Sequence, residues 1–561
     1  MRYKLKESVS TDIIERICEN RGITLHELDN FINVPEHYKK SPKDYLNMSL
    51  AYRYIIEAIE GNDKIGVLVD SDVDGYCSAA MFINYVKKAF NYDNFEIFIH
   101  KNKGHGLSEE MVETILNSTI DFLFISDAGS NDFGEQRKLY ENGIDIVIID
   151  HHECLGSNPD YAVIVNNQLC RKANKFLSGA GMVMKLLEFI DMEKGFNYAK
   201  EYMDLCAIAL VADSMPMSNM ENRYYVQEGL KGFKNPLLQE LYNSNKSRNF
   251  ELISYDLAPA LNAFTRVATI EEKRDLFDAL IEKSDERELT IRGLGKVKLN
   301  LSEYIARLVP RIKSRQTSCI DKALSDSNTR IITDNLPIVI CVLDNSINQS
   351  LSGLIGNKLA EIHKKPAIVL REMYGDYRGS GRTVKGFNNF KDYLNSFNLF
   401  FLCQGHQQAF GVGISIENFN SFIEKIYCTN LDGIDTCYLV DEEYIGGASA
   451  YDILEVDRLK DYWSKGFEKP LFYIEVNEPV QIDIIGKNNN TIRIKHNYIT
   501  YIKFQCSLEE VEHVRNLDVT GIKIIGTFNV NEWNGRDYPQ VFIEKMKVEG
   551  REYNSFFNFI N

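Results

Sequence analysis

Five short runs of β-forming apolar residues constrain this chain more than any other feature. They are Lys64–Val69 (KIGVLV), Phe95–His100 (FEIFIH), Asp121–Ser126 (DFLFIS), Asp145–Asp150 (DIVIID) and Ala162–Asn166 (AVIVN). None alternates polar and apolar residues along its whole length, as a strand with one wet face would. Strands apolar on both sides belong to a parallel sheet with helices on both faces. Helical stretches such as Cys77–Phe90 (CSAAMFINYVKKAF) separate several of the runs. The expected fold class is therefore α/β, with a doubly wound parallel sheet.

Several of these elements end on acidic residues. The first strand runs into Asp70-Ser71-Asp72-Val73-Asp74-Gly75, the third into Asp127, and the fourth into Asp150-His151-His152. A later helical stretch, Asp204–Ala212, delivers Asp213. Open parallel sheets bind ligands beyond the carboxyl ends of their strands. Carboxylates converging on one rim repel each other unless cations sit between them, and a mixed carboxylate–imidazole set suits Mn²⁺, or Mg²⁺ with fewer imidazoles. Each piece alone has a plainer reading. The D-x-D-x-D-G run resembles a calcium loop, but the closing Glu due near Phe82–Val86 is missing. A lone Asp at a strand end caps helices, and a His-His pair is usually surface or satisfied core. Four such pieces in this order favour a metal centre.

At 561 residues the chain exceeds what one core supports, so three or four domains are expected. The divisions read from the sequence are a helical lead-in (1–60), the acidic α/β domain (61–230), a helical connector (231–330), a second α/β domain (331–430), a linker (431–468) and a β-rich tail (469–561). Glu271 to Leu324 reads as long, charged and helical, with little strand character. The second α/β unit starts at Leu336–Leu343 (LPIVICVL) and continues through Ser352–His363 and Pro366–Leu370. Past Lys469, short strands with polar turns suggest a C-terminal OB-type β-barrel. The formal charge of −16 lowers the odds of a DNA-coating protein more than those of a nuclease, whose clustered carboxylates make it acidic. Eleven cysteines without a C-x-x-C pair argue against a zinc ribbon or a disulfide framework and fit reduced thiols in a cytoplasm. The first residues lack the pattern of a signal peptide, and no window is apolar enough to cross a bilayer.

Asp150-His151-His152 matches the motif that names the DHH phosphoesterase superfamily, and the chain resembles its RecJ branch over nearly its whole length. The resemblance rests on Val165–Leu186 with its Gly179-Ala180-Gly181 helix start, Leu257–Arg266 (LAPALNAFTR), Arg378–Thr383 (RGSGRT), Gln404–Ile414 (QGHQQAFGVGI) and Asn531–Met546 (NEWNGRDYPQVFIEKM). It implies a DHH domain, a DHH-associated domain and an OB fold, and an exonuclease that degrades single-stranded DNA 5′ to 3′ to mononucleotides with two Mn²⁺ or Mg²⁺ ions. Carried over by position, Asp70 and Asp127 would bind the first metal, and Asp72, Asp127, His151 and Asp213 the second. His152 would contact the scissile phosphate, Asp150 would orient an imidazole, and Asp74 would cap the helix that follows it. Ser380 and Arg382, taken as a Gly-rich turn, would hold the 5′-phosphate, His406 would reach the substrate phosphate near the metals, and Asn262 and Arg266 would line the strand's path. His100, Lys101 and Lys103 are looser candidates for a basic contact, and Trp533 and Arg536 lie in the barrel, Trp533 being equally plausible as core. Single-stranded DNA is the implied partner, with a helicase or single-strand-binding protein as a family expectation.

Three positions depart from the family pattern. Ser71 stands where Tyr or His is usual, Gly66 where manganese pyrophosphatases supply an extra His, and Gln404 where a Gly is usual. The nearest alternative is a DHH-family nanoRNase or cyclic-dinucleotide phosphodiesterase, which generally lacks a terminal barrel. An alternative of another class is a non-catalytic nucleic-acid-binding scaffold, against which the retained Asp70, Asp72, Asp127, His151 and Asp213 argue.

Overall fold

The computed structural model describes residues 2–101, 104–155, 161–242, 244–334, 336–373, 375–405, 407–427 and 437–552. Strands Ile65–Val69, Phe95–Ile99, Phe122–Ser126, Asp145–Asp150 and Val163–Asn166 form one parallel sheet, in which the second strand lies outside the first and the others follow in sequence order. Every residue of the first and third strands is buried, which explains why neither alternates. Val67 and Val69 face a core built with helices Val73–Phe90, Gly179–Lys194 and Met203–Ala212. Leu68, Leu123 and Ile125 face a second core closed by helices Glu109–Leu116 and Phe133–Glu141. A Cβ on Gly66 would lie 2.5 Å from Ile120 Cδ1 and 2.9 Å from the Phe98 ring. A histidine at that position would collide with the core.

The strand order switches between the first and third strands, so their carboxyl ends leave a crevice there. Asp70 directly follows the first strand and Asp127 the third.

The connector departs from the expected helical stretch of little strand character. Glu286–Ile291 and Gly295–Asn300 form an antiparallel hairpin, followed by the 25-residue helix Leu301–Ser325. Leu289 and Leu299 are buried beneath the hairpin, and Gly293 and Gly295 take φ of 85° and 74° in its turn. The Gly-Leu-Gly turn and alternating apolar residues are hairpin signals that the dense charges obscure.

The second α/β unit holds a six-stranded mixed sheet in which Val339–Leu343 and Ala367–Met373 are parallel. Here the Gly-rich segment is not a turn. Asp376–Arg382 is an interior strand between Ala367–Met373 and Ala409–Ser415. Its glycines serve close approach: a Cβ on Gly379 would sit 1.8 Å from the Val369 carbonyl oxygen, and one on Gly381 2.5 Å from the Phe410 ring.

The C-terminal OB-type unit carries a seven-stranded sheet that begins at Glu442–Ile445, inside the expected linker, and includes the long strands Leu517–Trp533 and Arg536–Glu552. The lead-in also differs from expectation. Helix Met48–Gly61 joins the core of the first α/β unit, but helices Ile13–Glu19 and Leu25–Ile32 bury Ile13, Ile17, Leu28 and Phe31 against Ile474, Ile492 and Tyr501 of the C-terminal unit. Strand Tyr3–Leu5 pairs in parallel with Tyr438–Val440. Arg223 is fully buried, 3.5 Å over the Phe31 ring, and donates to the Phe31, Met217 and Tyr462 carbonyls and to Ser464 Oγ. No disulfide joins the described cysteines. No helix among the described residues is long and apolar enough to cross a membrane.

Candidate metal centre

Asp70 and Asp72 flank the start of helix Val73–Phe90. Asp72 is its N-cap, accepting from Gly75 N at 3.1 Å. Asp70 is nearly buried, and a Cβ on Gly75 would lie 2.6 Å from Asp70 Cβ, so only glycine lets the helix start this close. Asp74 corrects the expected cap: it serves a different helix. Its carboxylate accepts from Ser178 Oγ (3.0 Å), Gly179 N (2.6 Å) and Ala180 N (2.8 Å), closing the N-terminus of Gly179–Lys194. Gly179 thereby comes against Asp127, where a Cβ would be 2.4 Å from Asp127 Cβ. Asp127 itself is left-handed, with φ of 65°, a conformation a non-glycine residue adopts at a cost of about 1–2 kcal/mol.

His151 Nε2 lies 3.1 Å from Asp127 Oδ1, 3.7 Å from Asp213 Oδ2 and 3.9 Å from Asp74 Oδ2. Burial and the adjacent His152 push its imidazole down to about 4, leaving a neutral ring able to ligate. Burial and mutual repulsion hold Asp127 and Asp213 well above the ordinary carboxylate range. Asp72 is the member most open to solvent, yet the protein mass around its carboxyl, with Asp70 and Asp74, raises it too. The distances form overlapping groups, Asp70/Asp72/Asp127, Asp127/His151/His152 and Asp74/His151/Asp213, each with ligand atoms within 4.8 Å of one another. Asp127 Oδ1 and Asp213 Oδ2 are buried without a hydrogen-bond donor. A buried carboxylate oxygen left unpaired is costly, and a divalent cation satisfies it.

Asp150 is occupied differently. Its Oδ1 accepts from His151 N (2.7 Å) and His152 Nδ1 (2.9 Å), and its Oδ2 from Ser130 N (3.2 Å). Burial opposes its charge, but His152 and these donors outweigh burial and hold it well below the usual range. The same contact, working against burial, raises His152 and fixes its ring.

Sequence reasoning missed His105. Its Nδ1 lies 3.0 Å from Asp70 Oδ2, its ring meets His152 edge-on at 4.6 Å, and Gly106 N donates to Asp70 Oδ1 at 3.0 Å. Half the side chain is open; burial works against its charge, but Asp70 outweighs it and lifts the ring to about 9. The available signal was the Gly104-His105-Gly106 turn a few residues beyond the second strand. Lys465 was missed as well. It arrives from the C-terminal unit, its carbonyl accepting from Met217 N at 2.7 Å, and its charge acts against the upward shift of Asp213.

Beside the carboxylates lies a 160 Å³ cleft lined by Ser71, Asp72, Asp213, Asn262, Thr265 and Arg266. A larger 660 Å³ groove runs along the edge strand Phe95–Ile99 and holds none of the carboxylates. Asn262 and Arg266 stand on helix Ala258–Val267. Burial pushes the Arg266 guanidinium down, against the pull of Asp72. Arg382 is pushed down by burial and by Arg266. It lies across helix Ser352–His363, where a Cβ on Gly353 would meet its Nη2 at 2.3 Å. Ser380 Oγ is 3.0 Å from Ser352 Oγ on the same helix. Arg266 and Arg382 thus continue the acidic rim into the second α/β unit. The other expected residues divide. Ser71 Oγ accepts from Gly104 N, and Gln404 is exposed. His100 is buried, Lys101 pairs with Glu110 on the surface, and Trp533 is 65% exposed, so it is not barrel core. Lys103 and His406 lie outside the described residues.

The chain matches the DHH family, N-terminal domain, over residues 64–210 and the RecJ OB domain over residues 452–545. The protein named single-strand DNA-specific exonuclease YorK, from the SPbeta prophage of Bacillus subtilis (strain 168), is 33% identical, with 98% of each chain covered. The single-stranded-DNA-specific exonuclease RecJ of the same organism is 25% identical, covering 96% of this chain and 68% of the relative. The crystal structure of RecJ in complex with Mn²⁺ from Thermus thermophilus superposes with a TM-score of 0.72 at 18% identity, covering 98% of this chain and 80% of that one. A fold shared along 98% of this chain, a relative one-third identical over 98% of both chains and both domain matches lead to one conclusion: the chain belongs to the RecJ-like single-strand-specific exonucleases of the DHH family.

Proposed function

We propose that this protein hydrolyses single-stranded DNA from the 5′ end, releasing mononucleotides, with two Mn²⁺ or Mg²⁺ ions in the acidic crevice. The observation that carries the reading is the pair of buried, donorless oxygens, Asp127 Oδ1 and Asp213 Oδ2, around the neutral His151. Asp70 and Asp127 would hold one ion, and Asp72, Asp127, His151 and Asp213 the other. Bound there, the ions would polarise the phosphoryl group and acidify a water. His152, its Nδ1 anchored on Asp150, presents its other nitrogen to the phosphate. Ser380 and Arg382 at the start of helix Ser352–His363 offer a hydroxyl, a guanidinium and a helix N-terminus to the 5′-phosphate, and Arg266 holds the strand between that site and the metals. The 5′ polarity rests on this arrangement, because a terminal phosphate anchored there leaves the next phosphodiester at the crevice.

The test is single-stranded DNA labelled at either end, incubated with Mn²⁺ beside duplex DNA and dinucleotides. Stepwise loss of mononucleotides from the 5′ end, abolished by Asp127→Ala and by chelation, is the expected result. Activity that survives chelation refutes the mechanism. Equal cutting of dinucleotides and long strands refutes the exonuclease reading in favour of a nanoRNase.

A further inference from the structure

Residues 292–315 carry seven cations, Arg292, Lys296, Lys298, Arg307, Arg311, Lys313 and Arg315, and one acid, Glu303, in a chain whose acids outnumber its cations by 80 to 64. The fold displays this charge on one continuous feature. Leu289, Ile291, Val297 and Leu299 turn inward from the hairpin, so the alternate residues Arg292, Lys296 and Lys298 are exposed, with Leu294 71% exposed at the tip. Arg311 Nη2 donates to the Thr290 carbonyl at 3.0 Å, tying the hairpin to helix Leu301–Ser325. Arg307, Arg311 and Arg315 follow each other at four-residue spacing, one stripe along that helix about 12 Å long. At its far end Arg315 donates to the Val267 carbonyl (3.3 Å) and to Glu272. Val267 ends the helix that carries Asn262 and Arg266 into the cleft. The stripe therefore leads from the crevice wall to the hairpin.

We propose that the hairpin Glu286–Asn300 and the arginine stripe behind it form a binding face for the phosphate backbone of the substrate strand outside the catalytic cleft. It supplies the local attraction for polyanions that the overall charge of −16 withholds. Of the hairpin cations, Lys296 is partly neutralised by Glu288 at 3.5 Å; Arg292 and Lys298 complete the exposed set. The inference rests on single-stranded nucleic acid being the substrate, and the experiment separates the two readings by measuring binding apart from cleavage.

The test compares the wild type with the triple variant Arg292→Gln/Lys296→Gln/Lys298→Gln, none of whose positions lies in the cleft. Binding of a fluorescent dT oligomer long enough to span both sites is measured without divalent metal across a salt series. Each phosphate that a side chain no longer neutralises should lower the slope of log affinity against log salt by about 0.7. The triple variant should therefore lose about 2 from the slope and bind at least tenfold more weakly at low salt. Hydrolysis of a dinucleotide, which cannot reach the hairpin, should be unchanged, and the charge-preserving variant Arg292→Lys/Lys296→Arg/Lys298→Arg should bind like the wild type. A triple variant that melts like the wild type and keeps its slope overturns the proposal, leaving an acidic protein partner as the alternative. Loss of slope in the variant, beside a wild type that binds dT but never cleaves it, would support this face while refuting the exonuclease.

Discussion

Replacing Gly179 with alanine tests whether the backbone of helix Gly179–Lys194 sets the position of Asp127. The added Cβ would lie 2.4 Å from Asp127 Cβ and 2.6 Å from its Oδ1. Carbon atoms settle at about 3.5 Å or more, so about 1.1 Å (3.5 minus 2.4) must be found. Gly179 cannot retreat cheaply, because its N–H donates to Asp74 at 2.6 Å and the helix start is capped by Ser178. Asp127 must move, and with it the oxygens that face His151. A misplacement of about 1 Å at a reacting centre costs roughly 10²-fold in rate, and the overpacking itself costs about 1–3 kcal/mol of stability. The assay is Mn²⁺-dependent hydrolysis of single-stranded DNA, with a Mn²⁺ titration of the melting temperature beside it. The control is Gly134→Ala in helix Phe133–Glu141, where the added Cβ meets nothing within 4 Å; it should leave activity intact and gain up to about 1 kcal/mol. A Gly179→Ala protein with wild-type turnover and Mn²⁺ dependence would refute the argument that this contact holds Asp127.

Asp213→Asn should raise the melting temperature of the metal-free protein, since it removes one of the repelling carboxylates, and should abolish most of the stabilisation by Mn²⁺; at a Mn²⁺ concentration about 100 times Kd the wild type gains about 2.7 kcal/mol. Arg223→Ala removes a donor from four acceptors and the cation from the Phe31 ring; the Phe31 and Tyr462 carbonyls keep Gln227 and Ser464 as donors, so the cost in denaturant unfolding should be about 2–3 kcal/mol. Asp150→Asn should spare metal binding but lower turnover about 10–100-fold, because the partner that orients His152 is lost; weakened Mn²⁺ binding would instead make Asp150 a ligand. In the metal-free protein His151 should contribute a loss of stability as pH falls from 6.5 to about 4, opposite in sign to the gain from protonating the raised Asp127 and Asp213 carboxyls, so it is read as the difference from His151→Gln. In that window the unfolded His151 takes up a proton and the folded ring does not, so the unfolded state binds more protons as pH falls. A melt series at fixed ionic strength, compared with His151→Gln, checks the sign.

The catalytic sheet was legible because its strands are apolar on both faces and its helices punctuate them. The acids Asp70, Asp127, Asp150 and Asp213 were legible because strand and helix ends must meet at the switch of strand order. The Gly-rich segment before Arg382 was misread because glycine marks both turns and crowded strands, and only the Val369 carbonyl beneath Gly379 distinguishes them. Asp74 was misassigned by one helix, since capping depends on what approaches in space rather than in sequence. Lys465 lay beyond sequence reasoning for the same reason, reaching the site from an element whose position no local pattern specifies, and His105 offered only the glycines on either side of it. The hairpin at Glu286–Asn300 failed differently. Its alternation was present, but Arg and Lys on its outer face read as helix surface.

The first two helices and the strand Tyr3–Leu5 find their partners more than 400 residues later, among them Tyr438–Val440, Ile474 and Ile492. During synthesis at about 5–20 residues per second, that N-terminal stretch waits tens of seconds with Ile13 and Ile17 uncovered, while the catalytic sheet between can already close. A stretch made well before its partners is thus among the last to be packed. Its docking fastens residues 3–32 and residues 438–548 around one core, so removing either stretch should expose the same apolar surface and leave the nascent protein prone to aggregation rather than merely shorter.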